Sequence, residues 1–213
     1  MNTAIIFDMD GTLFQTNLIL EPALEATFDV LRREDLWVGA TPIDKYRDVM
    51  GATLPEVWKT LGPDHSAETR ERSNALFHEH LIELIRGHKG MLYDQVEETL
   101  EQLSSKYPLY IASNGQVEYL RAIVEVYRLE RFIVNTYSIE LIESGNKSEL
   151  VKLVKTENGI TSGFVVGDRA SDIRAAKDNC LTSIGVRFDF SQENELKQAD
   201  HVVESFTGLL EIL

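Results

Sequence analysis

At 213 residues with 43% hydrophobic side chains, the chain can fill one sizeable core and still carry a modest second unit. A formal net charge of −14, with no cluster of lysines and arginines long enough to track a phosphate backbone, argues against nucleic acid as a partner. No apolar stretch is long enough to span a bilayer and the first residues lack the pattern of a secretory signal, so a cytoplasmic location without a membrane partner is expected. The single cysteine, Cys180, cannot form an internal disulfide and reads as a small buried hydrophobe on a helix.

The first element, Thr3 to Phe7, is short, β-branched and almost continuously apolar, the pattern of a strand buried on both faces of a parallel sheet. It runs into Asp8-Met9-Asp10-Gly11-Thr12. Asp8 falls at the carboxyl end of the strand, where open α/β sheets bind their ligands, and Gly11 lets the chain turn away sharply. Two aspartates two residues apart lie on one side of an extended chain and repel unless a cation sits between them. An Asp-Gly hairpin turn is the alternative, although Leu13-Phe14-Gln15-Thr16-Asn17 does not alternate as a return strand should.

Helical periodicity follows. Leu20, Leu24, Phe28 and Leu31 form an amphipathic stripe, with Pro22 placed in a first turn, and further helices are expected at Pro42 to Met50, Leu54 to Leu61 and Ala67 to Ile85. Because this block interrupts an α/β pattern, it reads as a helical domain spanning 17–89, inserted into a core formed by 1–16 and 90–213. Tyr46, Trp37 and Trp58 read as its core, and His78 and His80 do not share a helix face.

Beyond the insert, helix and strand alternate. Helices are expected at Asp94 to Lys106 (Asp94 as N-cap), Gln116 to Tyr127, Lys147 to Asn158 and Ser171 to Asn179. Strands are expected at Pro108 to Ala112, Phe132 to Ser138, Gly163 to Val166, Thr182 to Val186 and His201 to Val203, before a closing segment from Phe206 to Leu213. Such alternation predicts an α/β fold, a Rossmann-like parallel sheet with helices on both faces.

Several strands and helices meet at polar residues. Ser113-Asn114-Gly115 offers a hydroxyl and backbone N–H groups leading into a helix, suited to phosphate oxygens or equally to a plain N-cap. Lys147 opens a helix, with Asn146 and Glu149 resembling a capping box; a lysine there opposes the helix dipole and is better explained if an anion sits beside it. Gly167-Asp168-Arg169-Ala170-Ser171-Asp172 sets two carboxylates at a strand-to-helix junction. With Asp8 and Asp10 they make an all-oxygen acidic set of the kind that suits Mg²⁺.

In this order, Asp8-Met9-Asp10-Gly11-Thr12, Ser113, Lys147 and Gly167-Asp168 with Asp172, the chain resembles the haloacid dehalogenase superfamily, whose phosphatases carry Asp-x-Asp-Gly-Thr, a Ser or Thr, a Lys and Gly-Asp-x-x-x-Asp. The helical insert is similar to the family's small helical cap, and Ala199-Asp200-His201-Val202-Val203 resembles the ending of its phosphoglycolate phosphatase-like members. The resemblance implies Mg²⁺-dependent hydrolysis of a small phosphorylated metabolite. Asp8 is then the nucleophile and Asp10 the general acid and base. Asp8, Asp10 (through its backbone carbonyl) and Asp168 hold the metal. Thr12, Ser113, Asn114 and Lys147 lie at the substrate phosphate, Thr12 also steadying Asp10, with Gly11 and Asp172 in support.

Two features depart from many relatives: Phe14-Gln15-Thr16 replaces Val-Asp-Ser, and Ser148 replaces the proline after the lysine. A sugar-phosphate mutase of the β-phosphoglucomutase kind is an alternative, disfavoured because Gly51-Ala52-Thr53-Leu54-Pro55 carries no arginine. A receiver-like or non-catalytic phosphate-binding signalling protein is another. A receiver would place its phosphoacceptor on a middle strand, whereas the second and third candidate strands end in Ser113 and Ser138 without an aspartate and the chain is too long by the size of the cap; a silent relative would be expected to have lost a catalytic carboxylate, and none is missing.

Overall fold

The structure is a computed structural model that describes residues 2–49, 52 and 54–213. Within them the chain divides into two compact units, Met1–Gln15 with Met91–Leu213, and Thr16–Gly90.

The first unit is an α/β fold built on six parallel strands: β1 (Thr3–Phe7), β2 (Leu109–Ser113), β3 (Ile133–Ser138), β4 (Ser162–Gly167), β5 (Thr182–Val186) and β6 (His201–Val203). Their order is β3-β2-β1-β4-β5-β6, so the first strand lies at the centre and the chain winds outward twice from it. Alternation along β1 decides which side each residue serves. Ala4 and Ile6 join a buried cluster with Leu150, Val151 and Val154 and with Ala175 and Ala176, while Phe7 packs its ring on Phe206, 5.9 Å between centroids. Each large side chain buried this way contributes about 1.5–3 kcal/mol.

The helices α1 (Asn17–Arg33), α2 (Ile43–Asp48), α3 (Leu54–Leu61) and α4 (Ala67–Arg86) make up the second unit. Ile19, Leu20, Ala23, Leu24, Phe28 and Leu31 form the buried stripe of α1. Phe28 meets Trp37 edge-on at 4.8 Å and stacks on Trp58, and Phe77 meets Tyr46 and Trp58 edge-on. The aromatic residues therefore serve mainly as packing, Tyr46 and Trp58 buried and Trp37 half-buried. Met50, Gly51 and Thr53 lie outside the described residues, which removes the end of one expected helix and most of the expected cap loop from view.

Several local expectations are corrected. α1 already runs from Asn17, so Pro22 sits inside it, beyond the first turn; its missing N–H leaves the carbonyl of Leu18, a residue exposed enough to be hydrated. The helix α5 (Val96–Ser104) starts later than Asp94: Gln95 takes the left-handed region at φ 65°, which puts a turn between the aspartate and the helix. α6 (Val117–Val126) and α7 (Lys147–Glu157) follow. Asn146 does cap α7, accepting from the Ser148 N–H at 2.8 Å, but Glu149 does not close a box. Its carboxylate accepts from the Ser144 hydroxyl, which itself takes the Asn146 N–H. Next, α8 (Ala170–Asp178) ends before Cys180, which occupies the left-handed region at φ 54° in the turn to β5 and is exposed. Two one-turn helices, α9 (Glu193–Leu196) and α10 (Leu209–Ile212), close the chain. Asp200 has a structural place: its carboxylate accepts from the Ser183 N–H at 2.8 Å and hydroxyl at 2.6 Å, tying the approach to β6 to β5. Among the described residues, no helix is long and apolar enough to cross a membrane.

Candidate active site

The alternation that sends Ile6 toward α7 and α8 sends Asp8 to the same side, just past the end of β1, where its N–H still continues the ladder to Val166 O at 2.9 Å. Lys147 is the first residue of α7 and Asp172 lies in the first turn of α8, so both reach this point. The Lys147 ammonium lies 2.8 Å from Asp8 Oδ1 and also pairs with Asp172. Asp168, directly after β4, completes a group of three buried carboxylates, Asp8, Asp168 and Asp172, whose oxygens lie within 4.8 Å of one another. Asp172 further accepts from the Arg169 N–H at 3.1 Å.

Electrostatics follow from burial. Asp8 is 8%, Asp168 1%, Asp172 1% and Lys147 5% exposed, so bulk water screens little of their mutual field. Burial pushes the Asp168 carboxyl well above the usual carboxylate range, and Asp172 and Asp8 push it further, with Lys147 and Arg169 offsetting only part. Asp172 is raised to about 6, chiefly by burial and against the pull of Lys147. Burial would lower the Lys147 ammonium, but Asp172 and Asp8 outweigh it and hold it above its ordinary value. Three buried carboxylates sharing one ammonium carry more negative charge than the site neutralises. A hard divalent cation such as Mg²⁺ fits that deficit and that all-oxygen donor set.

The side-chain cluster differs from the expected one in a specific way. Asp10 Oδ1 accepts from the Tyr119 hydroxyl at 2.5 Å, and Asp172 is the third carboxylate gathered with Asp8 and Asp168. The chain bends at Met9, between the two aspartates, and turns again at Gly11, whose φ of 72° lies in the left-handed region and redirects Thr12. A Cβ at Gly11 would lie 2.6 Å from Asp168 Oδ2, so only glycine lets the turn pass under that carboxylate. Thr12 is also corrected: fully buried, it donates its hydroxyl to Asp168 Oδ1 at 3.3 Å, so it steadies Asp168 rather than Asp10.

Ser113 ends β2, buried, with Asn114 half-buried beside it. The N–H groups expected to hold an anion there are partly engaged already. Ser113 Oγ accepts from the Gly115 N–H at 3.1 Å, and Glu140 accepts from the Val117 N–H at 2.8 Å. Two contributors escape sequence reasoning. Tyr119 reads as one more buried residue of an amphipathic helix. Glu195 reads as a surface acid, yet it accepts from Ala170 N–H at 2.9 Å and Arg169 Nε at 3.0 Å, bracing the loop that carries Asp168. The signal for Glu195 was the arginine wedged between Asp168 and the helix, a cation in want of a partner.

Comparison with known proteins identifies a family and relatives. Residues 5–186 match the family described as haloacid dehalogenase-like hydrolase. Pyrophosphatase PpaX of Listeria monocytogenes is 24% identical over 226 residues, covering 99% of this chain and 96% of its own length. A phosphoglycolate phosphatase of Vibrio vulnificus is 24% identical over 224 residues, covering 98% of this chain and 95% of its own. Among solved structures, a haloacid dehalogenase-like family hydrolase from Streptococcus pneumoniae shares the fold, with a TM-score of 0.83 at 21% identity over 99% of this chain and 98% of that one.

Proposed function

Because the chain belongs to the haloacid dehalogenase-like hydrolase family, we propose that it is a Mg²⁺-dependent phosphatase that hydrolyses a small phosphomonoester through an aspartyl phosphate on Asp8. The observation that supports this most is the buried Asp8 carboxylate at the end of the central strand, 2.8 Å from the Lys147 ammonium and gathered with Asp168 and Asp172. In this reading an Asp8 oxygen attacks phosphorus, the bond from phosphorus to the ester oxygen breaks, and that oxygen takes its proton from Asp10. Asp10 next receives a proton from water as the water attacks phosphorus. The Asp8–phosphorus bond breaks and inorganic phosphate leaves with Asp8 regenerated.

Asp8, the Asp10 backbone carbonyl and Asp168 would hold Mg²⁺; when bound, the ion neutralises charge where a carboxylate and a phosphate must approach and polarises the phosphoryl oxygens. Asp172 holds Lys147, and Thr12 and Glu195 hold Asp168 and its loop. Lys147, Ser113 and Asn114 face the phosphoryl oxygens. The helical unit, Thr16–Gly90, acts as the cap that chooses the substrate. The phosphoglycolate phosphatase among the relatives favours a small acidic phosphomonoester, and the relative named pyrophosphatase makes pyrophosphate the comparison to run beside it.

The test is a phosphate-release screen over 2-phosphoglycolate, nucleoside monophosphates, sugar phosphates and pyrophosphate, with Mg²⁺ and with excess chelator. Release that depends on Mg²⁺ and prefers one monoester supports the reading. No release from any ester, or equal release in chelator, overturns it.

A further inference from the structure

Tyr119 sits two residues into α6, a helix that leads away from the end of β2. Its ring is 3% exposed, yet its hydroxyl reaches Asp10 Oδ1 at 2.5 Å across 109 residues of sequence. The seat of the ring is close-packed: a Cβ at Gly115 would lie 2.9 Å from Leu120 Cδ2 and 3.0 Å from Tyr119 Cδ1, so the glycine just past β2 leaves room for both side chains. A buried phenol is rigid, with two side-chain torsions and no freedom left in the ring's packing, so the position of its hydroxyl is set by the core and not by solvent. A hydroxyl donating to a carboxylate at this distance is at the short end of charge-assisted hydrogen bonds. Asp10, by contrast, lies three residues past the last strand residue, half-buried, between the bend at Met9 and the turn at Gly11.

We propose that Tyr119 is a positioning residue for Asp10: its hydroxyl holds the carboxylate by Oδ1 in the place from which it exchanges a proton with the ester oxygen and afterwards with water. The proposal rests on the phosphatase reading and adds to it a residue outside the four motifs. Misplacing a proton-transfer group by an ångström costs up to about 100-fold, and that loss falls on the steps that need the proton.

The test uses the full-length protein with p-nitrophenyl phosphate and phenyl phosphate, two esters of nearly the same shape whose leaving groups differ in their need for a proton. Tyr119→Phe keeps the ring in its seat and removes only the hydroxyl. It should lower kcat on phenyl phosphate about 10- to 100-fold with little change in KM, and affect transfer from p-nitrophenyl phosphate less. With p-nitrophenyl phosphate, an acid quench followed by intact mass measurement should show aspartyl phosphate accumulating, because water then lacks an aligned base. In the Asp10→Asn background, adding Tyr119→Phe should change kcat by less than about twofold, since both changes remove one function. A Tyr119→Phe variant with unchanged kcat on phenyl phosphate and no adduct, beside an active wild type, overturns the proposal alone. So does a full additional loss in the Asp10→Asn background, which marks a merely structural role. An inactive wild type that forms no adduct overturns the phosphatase reading and this proposal together.

Discussion

Both units bury polar side chains, but on different terms. In the helical unit the buried hydroxyls of Thr27 and Ser73 donate to the carbonyls four residues back in their own helices, at 2.7 and 2.8 Å, and the Trp58 indole N–H finds Asn74 at 3.0 Å. Each is satisfied by a neighbour on the same helix or the next one. In the α/β unit, Asp8, Lys147, Asp168 and Asp172 come from the ends of two strands and the starts of two helices, far apart in sequence, and their charges do not cancel. A polar group closed on its own turn serves folding. A cluster assembled from distant elements and left over-charged is costly to fold, and that cost marks where chemistry is done.

The comparison can be broken most forcefully at Asp8. Asp8→Asn is expected to remove turnover by about 10⁴-fold or more, because an amide is a poor nucleophile. A steady-state assay that found a tenfold effect or less would mean that the cluster is structural after all.

Excising the helical unit tests the other side. Phe14 and Leu92 already pair as an antiparallel bridge, so a short linker joining them spans no gap. The remaining α/β unit should still hydrolyse p-nitrophenyl phosphate while losing its ranking among natural monoesters. A ranking that survived excision would place substrate choice in the α/β unit.

The charge imbalance makes a pH prediction. Asp168 and Asp172 have folded-state pKa values above their unfolded ones, Asp172 at about 6. The stability they contribute is therefore complete below the ordinary carboxylate range; the share of Asp172 is lost as pH rises through about 6, and that of Asp168 as pH rises through its own raised pKa. A cation replaces those protons, so the rise in Tm on adding Mg²⁺ should be larger at about pH 7.5 than at about pH 5. Equal shifts at both pH values would contradict the metal assignment.

The gentlest contrast is between two buried threonines. Thr12→Val should lower kcat about tenfold by loosening Asp168, since a hydrogen bond to a charged group carries a few kcal/mol at most. Thr27→Val should leave kcat alone and change stability by about 1 kcal/mol. Thermal melts and initial rates on the two variants suffice, and a kcat loss in Thr27→Val would erase the distinction.

How much of this was legible beforehand depended on range. β1, β5 and β6 were readable to the residue because an apolar run bounded by polar residues is a local signal. The acidic and basic residues at the element ends were readable for the same reason. What failed were inferences about which side chain meets which. Sequence proximity points Thr12 to Asp10, but the left-handed turn at Gly11 carries it to Asp168. An extended chain would set Asp10 beside Asp8, but the chain bends at Met9 between them. Helical periodicity places Cys180 on a helix that stops two residues before it, and it gives no sign of where the Tyr119 hydroxyl goes.

The most direct measurement of the central claim is the mass of the intact protein after an acid quench during turnover of p-nitrophenyl phosphate. In Asp10→Asn, transfer to Asp8 should proceed because p-nitrophenolate leaves with little help, while hydrolysis slows by roughly 10²- to 10⁴-fold for want of a base, so a phosphate adduct should accumulate. Asp8→Asn should show no adduct. An adduct on the Asp8→Asn protein, or continued turnover by it, would contradict the assignment of Asp8 as nucleophile.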